Sequence, residues 1–73
     1  IEFPPNQKII FPAAAFGARR HLIWVQIGDI VIQIGANSHR LKAGDSIGIN
    51  VLTDVSFEND RDAPCFYLVA TAK

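Results

Sequence analysis

Hydrophobic residues alternate with their neighbours on both sides of one glycine. Ile23, Val25 and Ile27 alternate with Leu22, Trp24 and Gln26, and after Gly28-Asp29 the row resumes as Ile30, Ile32 and Ile34 against Val31 and Gln33. A period of two belongs to half-buried strands. Glycine can supply positive φ at the first position of a two-residue reversal, so the pattern predicts a β-hairpin over 22–34. In that register Ile27 pairs with Ile30, Val25 with Ile32 and Ile23 with Ile34, giving one wholly aliphatic face for a core. The other face would bring Gln26 to Val31 and Trp24 to Gln33, beside Leu22. That mixture suits an exposed sheet or a subunit contact.

The flanking segments repeat the theme. Pro4, Pro5 and Pro12 surround Lys8-Ile9-Ile10-Phe11, which predicts an N-terminal edge strand within an irregular arm over residues 1–12, because proline cannot donate to a ladder. Ala13-Ala14-Ala15-Phe16 is too short before Gly17 to hold a helix and is predicted as a loop or an extended link. Further strands are predicted at His39–Leu41, Ser46–Ile49, Val55–Glu58 and Cys65–Ala70, separated by turns at Gly35–Ser38, Lys42–Asp45 and Asn59–Asp62. Seven or eight short strands with no helical period predict an all-β sandwich or barrel formed by residues 1–73 as one domain.

Composition sharpens this picture. The chain has 73 residues, of which 49% are hydrophobic, a high share for so small a body. The excess implies that another chain or domain covers some apolar surface. Seven basic residues balance seven acidic ones, so net charge gives no reason for this domain to seek DNA or an anionic membrane. No apolar run approaches the ~20 residues of a membrane helix, and no signal peptide is evident. The single cysteine, Cys65, lies in the apolar run Cys65-Phe66-Tyr67-Leu68-Val69, which predicts a buried thiol and a reducing, cytoplasmic home. The chain opens at Ile1 rather than methionine, which suggests a piece of a longer polypeptide.

At Gly44 the spacing becomes specific. Many cupins carry a second motif of glycine, five residues, proline, one residue, glycine, two residues, histidine, three residues and asparagine. Gly44 matches its start and Asn59 its end; Asn50, Leu52 and Val55 fall at the proline, second glycine and histidine. The lead-in Leu41-Lys42-Ala43-Gly44-Asp45 resembles the turn before that motif. The first cupin motif ends in glutamate, six residues and glycine, which sets His21 at the glutamate and Gly28 at the glycine. Residues 8 to 71 thus resemble a small cupin, a double-stranded β-helix of jelly-roll type. The resemblance extends to the C-terminal sensor domains of bacterial helix-turn-helix regulators.

The departures bear on chemistry. The two upstream metal histidines of a cupin would fall near Ala14 to Gly17, where there is none, and Val55 replaces the third. His21 alone cannot hold a first-row divalent ion, so no metal and no cofactor is expected. His39, the other histidine, is expected to face solvent.

Among the remaining candidates, His21 either rests on a backbone carbonyl at the core rim or anchors a small ligand among Ile23, Val25, Val55 and Phe57. Trp24, with Gln26 and Gln33, is the candidate interface, since tryptophan is over-represented at the energetic centres of contacts; simple packing beneath the N-terminal strand is the other reading. Arg19-Arg20 reads as solvated, and Glu58, Asp60 and Asp62 as a solvated acidic turn. No nucleophile elbow or phosphate loop occurs. The resemblance implies a non-catalytic domain that binds a small-molecule effector and forms a homodimer, as the sensor of a transcriptional regulator whose DNA contacts lie in a domain absent from this chain. The alternatives are a small metal-independent cupin enzyme, of isomerase or lyase type, and a purely structural dimerisation module.

Overall fold

A computed structural model describes residues 1–12, 20–49 and 53–72. The predicted link over 13–16, the positions 14–17 matched to metal histidines, Arg19, Asn50 and Leu52 lie outside the described residues. Eight strands follow in chain order: β1 (Glu2–Phe3), β2 (Gln7–Phe11), β3 (Arg20–Ile27), β4 (Asp29–Ile34), β5 (Asn37–Lys42), β6 (Ser46–Ile49), β7 (Val55–Asn59) and β8 (Cys65–Ala72). They form two antiparallel sheets of four, ordered β1-β8-β3-β6 and β2-β7-β4-β5. The N-terminal arm supplies an edge strand to each sheet, as its prolines require.

The core lies between the sheets. Phe3, Ile23, Val25, Ile49, Cys65 and Tyr67 face it from one side; Ile30, Ile32, Leu41, Val55 and Phe57 face it from the other. Phe57 is the aromatic centre, edge-on to Phe11 at 5.1 Å and to Tyr67 at 5.8 Å between ring centroids. Cys65 is buried, and that burial, with the charge of Asp29, raises its thiol above the ordinary range.

The expected hairpin between β3 and β4 does not form. β3 pairs with β6 and β8, whereas β4 pairs with β5 and β7, so Gly28 carries the chain from one sheet to the other. Ile23 and Val25 face Ile30 and Ile32 across the core rather than lying beside them. Alternation tells which side of a strand is buried, not which strand is its neighbour, and both arrangements satisfy it. Ile27 also departs from expectation. The pairing with β8 slips between Val25 and Ile27, and this bulge turns Ile27 outward.

Gly28 has φ +81°, and a Cβ there would stand 3.1 Å from the Pro64 carbonyl oxygen and 3.2 Å from Cys65 Cα. Glycine is therefore required twice, for the backbone angle and for the close approach of β8.

Candidate functional site

The Gly44 motif is a structural joint. Gly44, at φ +94°, donates its N–H to the Val25 carbonyl at 2.9 Å, and Val25 N–H returns a bond to the Asp45 carbonyl at 3.0 Å. The Asp45 carboxylate closes the turn by accepting from Lys42 N–H at 2.9 Å. At the motif's other end Asn59 is fully buried. Its Nδ2 donates to the carbonyls of Phe3 (3.3 Å) and Ala63 (2.9 Å), and its Oδ1 accepts from Arg61 N–H at 3.0 Å. One amide thus ties the β7–β8 turn to β1. The two retained motif residues are those that hold turns.

The expected acidic turn is not simply solvated. Arg40 grips Asp60 with both nitrogens of its fork, at 2.6 and 3.1 Å, while Asp29 accepts from Arg61 Nε at 3.1 and 3.2 Å and lies 3.4 Å from Arg40. The Arg61 hydrogen bond holds the Asp29 carboxyl below its ordinary range, and the Arg40 hydrogen bond does the same for Asp60. Arg40 and Asp29 were invisible as a pair in sequence because they meet only through the β4–β5 register.

Of the candidate ligand residues, Ile23, Val25, Val55 and Phe57 are all buried members of the core between the sheets. His21 continues the inward row of β3, opposite Ile49 on β6 and Thr71 on β8, and its Nδ1 is closed off from solvent. The inward residues of β3 beyond His21 are Ile23 and Val25, those of β7 are Val55, Phe57 and Asn59, and His39 is exposed on edge strand β5. Among the described residues no three His, Cys, Asp or Glu side chains gather.

Trp24 and Gln33 are not neighbours, contrary to the expected shared face. Trp24 and Gln26 lie on the outside of the β1-β8-β3-β6 sheet, and Gln33 on the outside of the other, paired with Ser38 and Ser56. Around Trp24 the outer face is apolar. Leu22 (45%), Trp24 (48%), Ile27 (59%) and Leu68 (45%) are all substantially exposed. Cross-strand pairing sets Ser46, Trp24 and Leu68 in one row and Gly48, Leu22 and Ala70 in the next. Over the second row lies a hollow of about 320 Å³, bordered by Arg20, His21, Leu22, Gly48, Ala70 and Thr71. A signal for this stripe was present in the run Cys65–Leu68, which is apolar on both sides of the strand and so asks for cover on both.

No family model matches the chain, and no curated protein matches it in sequence. Solved structures do match it in shape. The Cupin_2 domain of an XRE-family transcriptional regulator from Enterobacter cloacae superposes with a TM-score of 0.85 at 11% identity, over 99% of this chain and 75% of that one. A predicted oxalate decarboxylase from Thermotoga maritima gives 0.80 at 17% identity, over 96% and 59%. A de novo designed double-stranded β-helix gives 0.74 at 19% identity, over 99% and 94%. The chain has the cupin fold. It spans between 48% and 75% of the length of seven natural chains that it resembles.

Proposed function

We propose that this chain is a non-catalytic cupin domain that pairs with a copy of itself through the outer face of the β1-β8-β3-β6 sheet. The observation that carries this reading is the stripe of Leu22, Trp24, Ile27 and Leu68, four half-exposed hydrophobics whose nearest cross-strand partners include only small or apolar residues in the two central rows. Contiguous apolar surface of this kind on a small soluble body marks an interaction site, and an aromatic at its centre is the usual energetic anchor. The test uses the single tryptophan. On raising protein concentration, sedimentation equilibrium gives a dimer mass and Trp24 emission moves to the blue in step; a monomer at every concentration, with fixed emission, refutes the reading.

A second reading adds ligand sensing within a transcriptional regulator, as the likeness in fold to the Enterobacter regulator's domain suggests. Its anchor would be His21, which continues the inward row of Ile23 and Val25 at the rim of the core that also holds Val55 and Phe57. DNA contacts would belong to another domain, and the buried, unpaired thiol of Cys65 suits a reducing cytoplasm. A metabolite that raises the melting temperature of the wild type, but not of His21→Ala, supports sensing. The absence of any such metabolite across a broad library counts against it.

A further inference from the structure

The outer face of the β1-β8-β3-β6 sheet is ordered in a way that says how two copies meet. Four rows run across it. Arg20 opposite position 72 forms the first, Gly48-Leu22-Ala70 the second, Ser46-Trp24-Leu68 the third, and Ile27-Phe66-Glu2 the fourth. Successive rows lie about 7 Å apart, two residues along a strand. The second row is small on both sides of Leu22 and carries the hollow; the third carries the protruding indole. The first row ends in a cation and the fourth in an anion, both exposed.

Resting on the self-association proposed above, we infer that the two copies pack face to face and antiparallel, about a two-fold axis across the strands midway between the Leu22 and Trp24 rows. A two-fold interface must be self-complementary, each row meeting its mirror in the partner. This axis satisfies that condition in shape and in charge. The second row of one copy lies over the third row of the other, so each Trp24 enters the hollow beside the partner's Gly48 and Ala70, while Leu22 is covered by the indole. The first row lies over the fourth, so the Arg20 stem covers the partner's Ile27 and its guanidinium points toward the partner's Glu2. Shifting the axis by half a row, onto the Trp24 row, sets Trp24 against Trp24 and loses the hollow. Turning it parallel to the strands sets Arg20 beside Arg20.

Three kinds of variant test the register on the intact chain. No heavy atom lies within 4 Å of a Cβ built on Gly48, so Gly48→Phe folds as a monomer but fills the hollow. It raises the dimer dissociation constant at least about tenfold, as does Trp24→Ala, the size expected on removing a buried tryptophan anchor. Gln33→Phe, on the opposite sheet, leaves it unchanged. Charge reversal gives the sharper result: Arg20→Glu and Glu2→Arg each weaken the dimer, and the double variant restores it at low salt. Circular dichroism on every variant verifies folding. A wild-type monomer overturns self-association itself. A dimer broken by Leu68→Lys yet indifferent to Gly48→Phe, or a double reversal that fails to rescue, retains the face and overturns this register.

Discussion

The two sheets are alike within and opposite without. Toward the core, both present branched aliphatic residues and aromatic rings, and neither inner face is the more polar near its centre. On the outside, the β2-β7-β4-β5 sheet carries Lys8, Glu58, Val31 and Arg40 in one row and Ile10, Ser56, Gln33 and Ser38 in the next. The β1-β8-β3-β6 sheet carries Leu22, Trp24, Ile27 and Leu68. Folding of a single copy requires only the inner faces, so it does not account for the difference between the outer ones. That difference separates what stabilises the chain from what the chain presents to others.

The comparison can be broken first where the sheets are equal. Phe57→Ala removes the ring that joins Phe11 to Tyr67 and is expected to cost about 3–5 kcal/mol, enough to unfold much of a small domain; chemical denaturation of the variant measures it. Asn59→Ala leaves the Phe3 and Ala63 carbonyls and the Arg61 N–H without their amide partner and is expected to cost about 2–3 kcal/mol by the same measurement. Gly28→Ala strikes the joint between the sheets, adding a strained φ and a contact with Pro64 and Cys65, for about 1–3 kcal/mol in a melting experiment.

The ion pairs give a smaller effect. Asp29, with a side chain only 15% exposed, has its folded pKa below the unfolded value, so its stabilisation is complete above the usual carboxylate range and is lost as pH falls through the folded pKa. Denaturation followed from pH 7 down to pH 2 is expected to show Asp29→Asn losing less stability on acidification than the wild type, by no more than about 1 kcal/mol. Smallest of all on the single copy is Trp24→Ala, whose unfolding free energy at high dilution stays within about 0.5 kcal/mol of wild type, the range for exposed substitutions. A large loss there would mean that the outer stripe serves the fold after all.

Most strands were legible because each carries its own period and turn chemistry. Ser46–Ile49 was predicted to the residue, and Val55–Glu58 missed only Asn59 at its end. Strand partnership was not legible, since a two-residue turn at Gly28 reads alike whether the chain folds back beside itself or crosses to the other sheet. Gln33 follows from the same ambiguity: a hairpin folded beside itself sets it opposite Trp24, whereas the crossing places it on the far sheet beside Ser38 and Ser56. Ile27 escapes the alternation because one bulged residue reverses the side chain that follows it. The spacing marks Asn59 as a motif position but not its role, because one of its partners, Phe3, lies 56 residues away in the chain while the other, Ala63, lies four residues on.

The pairing of β1 with β8 brings the first strand of the fold to the last. During synthesis, β3 waits without its β8 neighbour until that last strand has left the ribosome, leaving Trp24, Leu22 and the inward Ile23 and Val25 together on an open, unpaired edge. Non-local pairing of this kind folds in milliseconds to seconds rather than microseconds. Closure therefore comes as one late event, and a chain cut before Cys65 retains sticky strands but no finished sheet.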